Sequence, residues 1–600
     1  MAKSKFWRLL DGYDASGSES VGKSFTDLSY SGAVNQRMKR SIAFRILSLI
    51  LRVSNLFSYT STKSYGALSL SFGIMTLVLH FSGEYFGAYA EAGATALIIG
   101  IVFSMLSIPL LLIDKPFSIF LQDFAPTDFL LFEFFCIKRN HRVDSAPSLH
   151  PALAICLGAI PALLGFFIPI GWVLLVIGAL IFVYISFISP EFSYIAALLA
   201  LPYISYIPYS SEVLFGVILV TLVSFLRKVA YGKRVLHIEK YDILIALFAV
   251  TVLISGIFVK GVDSFVGSLG IVILSLGYIL TSNIVANRRL ADCVINALAV
   301  SSLPAAVIAI SDALRAIFAG EAAALFSEGV GASFGDPAVY SAYLIIVIPF
   351  ILTRVLEARD ALRFLYSALF VLNLAAMAFT AQRFAWFVLL MGVLMFFAYR
   401  AKFIAPLAIC AIIAIPYALI FLFGDATAFI FTNTDAALLP SRLGELWRVA
   451  LEVLSANIFF GIGIGEGCFA EEFSPLGFEG VENAHNFFIE LGLEAGVFAL
   501  LAVLLLFVVR FRHRAIYQRY LGESDMSLIS MVEAITASSL ILLGTTFYLF
   551  ENSVITYLFW FVFGLGSAAL RVAKRERDDK ILYYEDIKSP DSSVAEIKIK

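Results

Sequence analysis

Six hundred residues, 60% of them hydrophobic and 15% charged, with a mean hydropathy of +0.90, exclude a water-soluble globule, which would face water with too much apolar surface. The formal net charge of −2 singles out no partner and nothing points to nucleic acid, because in a membrane chain the side on which basic residues lie matters more than their sum. The five cysteines form no disulfide framework and no metal-ligand spacing, and no cofactor motif stands out.

Residues 1–65 are polar and basic and lack the short apolar run and small-residue cleavage site of a signal peptide, so they are expected to stay in the cytoplasm. Ile42 to Phe57, where arginines interrupt the apolar face, reads as an interfacial amphipathic helix. Apolar runs long enough to cross a hydrocarbon core of ~30 Å then recur, six of them in the N-terminal transmembrane region 66–226 and ten more in a core at 242–572. Lipid requires each spanning backbone to satisfy its own hydrogen bonds, so the fold class is all-α: a polytopic integral membrane protein of about 16 transmembrane helices. The basic segment 227–241 marks the internal boundary, and 573–600 is a charged tail.

An even number of crossings puts both termini on one side. All but five of the 43 Lys and Arg fall in loops that this topology assigns to the inside, which predicts cytoplasmic termini. The five exceptions, Lys260, Arg315, Arg383, Arg442 and Arg448, need another reason for their place. Residues 424–485, the longest polar excursion, are then expected on the outer face.

Leu443, Leu446, Trp447, Ala450, Leu451 and Leu454 step at three and four residues, which predicts an amphipathic helix over 442–455 with Ser441 as its N-cap. Arg442 falls in the first turn, where the helix dipole disfavours a cation; either Glu445 or a bound anion offsets it. The alternating Gly461, Gly463, Gly465 and Gly467 permit tight turns and close approach to a ligand, without the βαβ unit of a dinucleotide site. His485 stands at the head of a span and titrates near neutrality, as a general base should. Arg383 sits in the short connection Ala381–Arg383 between two spans. Guanidinium forks bind phosphate oxygens, and an imidazole takes a proton from an attacking hydroxyl; together they suit transfer from a diphosphate-linked donor. Glu490, Glu494 and Glu533 lie within apolar spans, where a hydrogen bond or ion pair between helices is the leading reading. Nine acidic residues against two arginines make the excursion itself negative, so any diphosphate site must be focused locally.

Arg442 with Trp447, Gly461-Ile462-Gly463, His485-Asn486 and Glu494-Ala495-Gly496 together resemble the signature of the O-antigen ligase and polymerase superfamily. Gln382-Arg383 and Phe334-Gly335-Asp336-Pro337 are similar to looser marks of it. The dense likeness covers about 436–500, the diffuse one about 242–572, and residues 1–226 carry little. The resemblance implies a GT-C-like helical bundle and a metal-independent inverting glycosyltransferase of the bacterial cytoplasmic membrane. Its donor would be an undecaprenyl-diphosphate-linked oligosaccharide or polysaccharide, its acceptor a hydroxyl of a glycan, lipid or protein on the outer face, with membrane lipids around it and no cofactor. Carried over residue by residue, His485 is the base, Arg383 and Arg442 hold the diphosphate, and Lys260, Trp447, Glu494 and Asn486 contribute to substrate binding. One departure is Asn457-Ile458-Phe459, where the family usually places a proline before the glycines. A peptidoglycan polymerase of the shape, elongation and division type, relying on Asp425 or Asp435, and a membrane transporter are the competing readings.

Overall fold

The computed structural model describes residues 58–86, 94–139, 148–230, 234–239, 242–259, 261–400, 440–465, 467–522, 524 and 526–588. Among them every named element is helical, and strand pairing is limited to an isolated bridge between Ser61 and Pro116. The expected interfacial helix at 42–57, the expected span at 403–423, Lys260, Asp425 and Asp435 lie outside the described residues. Among the described residues the chain divides into two compact units, one of Ile195–Leu219 and the residues from Val235 on, the other of the residues up to Tyr194 with Val220–Arg234.

In the smaller unit α1 (Thr62–Phe86) packs against α2 (Ala94–Leu112) and α3 (Pro151–Leu164). Helices in lipid associate through small residues that let backbones touch. Gly158 of α3 is such a contact: a Cβ there would stand 2.2 Å from the Leu68 carbonyl oxygen. α4 (Ile170–Ile188) turns Trp172, Leu175 and Leu180 outward, the distribution expected of a helix solvated by acyl chains. The stretch 117–134 is a chain of short helical turns ending in a π-turn, with Arg139 bonded to Asp128 and Glu133. Beyond α4, the buried Glu191 draws in Lys228 and Arg234, each at 2.5 Å. The basic segment thus spends two of its cations on one carboxylate.

α5 (Pro190–Ala200) passes into a 3-10 turn at Leu201–Tyr206, where Pro202 has no N–H for the helical ladder, and α6 (Ser210–Ala230) follows. The larger unit continues with α7 (Ile243–Phe258), α8 (Gly261–Ile284), α9 (Arg288–Phe318), α10 (Pro337–Glu357), α11 (Asp360–Phe379) and α12 (Arg383–Arg400). Later in the chain come α13 (Pro440–Ala456), α14 (Phe487–Gly522), α15 (Ser527–Leu543) and α16 (Ser553–Lys588). The first half of α16 is apolar all round because it is enclosed all round: it packs against α8, α10, α14 and α15 and buries Tyr557, Phe559, Trp560 and Phe563.

Among the described residues nine helices are long and apolar enough to cross a membrane, and α3, α7, α12 and α15 are shorter apolar helices. They coincide with expected spans to within a few residues. α9, α14 and α16 run on past the apolar windows, since no proline or glycine stops them there. Before α7, the half-buried Asp242 accepts hydrogen bonds from the Tyr278 hydroxyl (2.6 Å) and the Glu239 N–H (2.8 Å). Burial, with Glu239 close by, pushes Asp242 up to about 7 against those two bonds.

Candidate functional site

α13 is the amphipathic helix that the leucine spacing predicts, lengthened to Pro440–Ala456. Pro440 rather than Ser441 opens it, since a first-turn proline forfeits no hydrogen bond, and Ser441 falls inside the first turn. Leu443, Leu446 and Ala450 are buried, Trp447 and Leu454 pack beside them, and Leu451, a step further round, stands exposed. Arg448 spans one turn to Glu452 at 2.7 Å on the open face. The polar excursion therefore has a small apolar core of its own, closed from the other side by Phe469, Phe473 and Phe478, the first two stacked with ring centroids 4.0 Å apart.

The head of α14 is built around one unusual residue. His485 has φ 49°, the left-handed region, which costs a side chain with a Cβ roughly 1–2 kcal/mol. Such strain persists where the surroundings over-determine it. Here they do. The Trp447 indole N–H donates to the Ala484 carbonyl (2.8 Å), and in the same peptide group the His485 N–H donates to Asn483 Oδ1 (2.9 Å). The peptide before is held by the Ala484 N–H donating to Glu490 Oε2 at 2.7 Å. On the other side the Phe487 N–H donates to the Gly544 carbonyl at 2.8 Å. Asn486 is the N-cap of α14: its Oδ1 accepts from the N–H groups of Phe488 and Ile489, and its Nδ2 donates to the Thr545 carbonyl. His485 itself is half-buried, and it has partners of its own.

Further along, α14 breaks. Gly496 has φ 80° and ψ 170°, a conformation essentially confined to glycine, and the helical ladder is interrupted there. The glycine run fills the break. Ile462 N–H donates to the Leu493 carbonyl (2.6 Å), Gly463 N–H to the Glu494 carbonyl (3.3 Å), and Val497 N–H to the Ile458 carbonyl (2.9 Å). The Ser255 hydroxyl of α7 is shared between the Phe460 and Glu494 carbonyls, and Ser264 of α8 accepts from the Ile464 N–H at 3.0 Å. Left unmatched, each such buried group would cost roughly 1–3 kcal/mol. A Cβ on Gly461 would lie 2.2 Å from the Leu493 oxygen. At Gly461 the close approach expected of these glycines is to the α14 backbone. Asn457 closes α13 by donating from Nδ2 to the Val453 carbonyl, and its own carbonyl accepts from the Gly461 N–H.

Of the residues singled out from the sequence, the structure brings Trp447, His485, Asn486 and Glu494 onto this one frame. Trp447 and Asn486, expected to contact substrate, have polar groups engaged with backbone. Glu494 is buried with its carboxylate accepting from the Tyr548 hydroxyl. Arg442 lies in the first turn of α13, before Trp447. Arg383 is the first residue of α12 rather than part of the preceding connection, which is Thr380–Gln382 with Ala381 at φ 55°. Its helix packs on α15, whose C-cap Gly544 accepts the Phe487 N–H beside the His485 turn. Both arginines thus belong to the first turns of helices, where the N–H groups have no partner within the helix and the dipole favours an anion.

Phe334-Gly335-Asp336-Pro337 is explained by the start of α10: Asp336 caps it by accepting the Ala338 N–H at 2.7 Å, with Pro337 at the first helical position. Just before this motif, the Val330 N–H donates to the Phe379 carbonyl, so its loop lies against the turn that precedes Arg383. Sequence reasoning missed Ser255, Ser264 and Tyr548. The signal available for the serines was a hydroxyl within an otherwise apolar span.

Residues 368–504 match the family model described as O-Antigen ligase. That interval holds Arg383, Arg442, Trp447, His485, Asn486 and Glu494 and leaves out Lys260. No curated protein matches the chain.

Proposed function

We propose that the chain, whose residues 368–504 match the O-antigen ligase family model, belongs with the O-antigen ligases and polymerases and is a bacterial membrane glycosyltransferase acting at the His485 turn. The donor is a glycan on undecaprenyl diphosphate, and the acceptor is a hydroxyl presented on the outer face of the cytoplasmic membrane. The observation that carries this reading is the left-handed His485 held on both sides at the head of a broken helix, beside the helix that bears Arg442. Backbone strain this closely supported marks a place where one side chain must point one way.

In this reading His485 accepts the proton of the attacking hydroxyl while the oxygen bonds to the anomeric carbon and the glycosidic bond to the diphosphate breaks, with inversion. Arg383 and Arg442 take up the negative charge that the leaving diphosphate gains, each reinforced by its helix N-terminus. Lys260 is assigned to the carrier. The residues serve ligase and polymerase alike, which differ in the acceptor that docks opposite the donor.

Purified protein in proteoliposomes, supplied with a lipid-linked glycan and candidate acceptors, with and without chelator, tests this by mass of the product. Transfer is expected in both conditions, and His485→Ala is expected to lower kcat by about 10²–10⁴-fold. Full transfer by His485→Ala and Arg442→Ala, with loss on substituting Asp425 or Asp435, would instead favour the peptidoglycan-polymerase mechanism.

A further inference from the structure

Two residues that never need to touch substrate determine how His485 is presented. The Ala484 N–H is taken by Glu490, whose side chain comes from the first turn of α14 and is buried. The Ala484 carbonyl is taken by Trp447 from α13. These groups fix the two consecutive peptide planes that lead into His485, and φ of His485 is the torsion immediately after them. On the far side the Phe487 N–H donates to the Gly544 carbonyl, so the chain is held on both sides of that torsion. α13 is also the helix of Arg442, so the same indole ties an arginine-bearing helix to the histidine.

We infer that the Ala484 peptides form a clamp, closed by Glu490 and Trp447, that sets the left-handed torsion of His485 and so aims its imidazole at the acceptor hydroxyl. Glu490 and Trp447 are then positioning residues for the transfer proposed above, on which the inference rests. The clamp asks of Glu490 only an acceptor and of Trp447 only a donor.

That makes the variants unequal in a defined way. Glu490→Ala removes the acceptor, Glu490→Gln keeps one, and Trp447→Phe removes the donor while leaving an aromatic ring in its apolar bed. In reconstituted full-length protein, Glu490→Ala and Trp447→Phe are expected to lower kcat by about 10- to 100-fold with the donor KM nearly unchanged. Glu490→Gln is expected to recover most of that loss.

A second measurement needs no glycan: the rate at which diethyl pyrocarbonate modifies His485, followed by mass spectrometry of its peptide. It is expected to change in Glu490→Ala and Trp447→Phe and to match the unsubstituted protein in Glu490→Gln. Equal losses in the Gln and Ala variants, an unchanged kcat in both Glu490→Ala and Trp447→Phe, or modification rates identical in all four proteins would overturn the clamp. Absence of transfer by the unsubstituted protein would defeat the proposed function instead, and the modification rates would still decide the clamp.

Discussion

α14 carries buried side chains at two places that solve the same problem differently. Near its far end Arg510 meets Glu533 of α15 at 3.3 Å, with side chains only 3% and 1% exposed. Near its head Glu490 and Glu494, one turn apart, are matched by a backbone N–H and a phenol. A carboxylate facing a guanidinium ties one helix to another, and its value lies in the match of two charges. A carboxyl oxygen facing a peptide N–H gains directional hold on the backbone. The first arrangement suits a place where helices must stay together, the second a place where the chain must leave a helix in one set conformation.

The contrast breaks most readily at the charged end. Arg510→Ala leaves Glu533 buried without its guanidinium and is expected to destabilise by about 3–5 kcal/mol, whereas Arg510→Met with Glu533→Leu recovers most of that. Thermal unfolding in detergent reads both, and a double variant as unstable as the single one would show that charge matching is not what holds this contact. At the other end, Tyr548→Phe removes the donor to Glu494 and is expected to cost about 1–3 kcal/mol, a smaller loss in the same assay. A loss as large as that of Arg510→Ala would erase the distinction.

Asp242 sharpens the comparison, being a half-buried carboxyl group served by both a phenol and an N–H. Its pKa in the fold, about 7, lies above the ordinary 3.8, so between those values the folded chain holds a proton that the unfolded chain releases. The stability this confers is complete below about pH 4 and is lost progressively as pH rises to about 7. The melting temperature of the unsubstituted protein, relative to Asp242→Asn, is therefore expected to fall between about pH 4 and 7. A difference that stays level across that range would contradict the assignment.

Much of this architecture was legible beforehand. Apolar runs of membrane length located the helices, because lipid leaves the backbone no alternative. Leucines at three and four residues located α13 to within two residues at its start, and Asp336-Pro337 announced the start of α10. The frame around His485 was not legible in the same way. Trp447 to Ala484, Glu494 to Tyr548 and Ser255 to Glu494 join residues 37, 54 and 239 positions apart, distances over which periodicity carries no information. The glycines were visible, but a glycine announces only that something comes close. That the something is the α14 backbone depends on the torsions of a single residue, Gly496.

The socket that receives the glycine run also sets an order in time. Ser255 and Ser264 are synthesised about 200 residues before the backbone groups they hold at 460 and 464. As the chain is threaded into the bilayer from its N-terminus, α7 and α8 are in place long before their partners exist. The glycine segment in turn has no seat until 493–497 has been made and has broken its helix. Closing that seat is a non-local step, slow for the same reason that any contact across a long loop is slow. The His485 turn lies between the glycine segment and its seat, so the candidate site is among the last parts of the molecule to take shape.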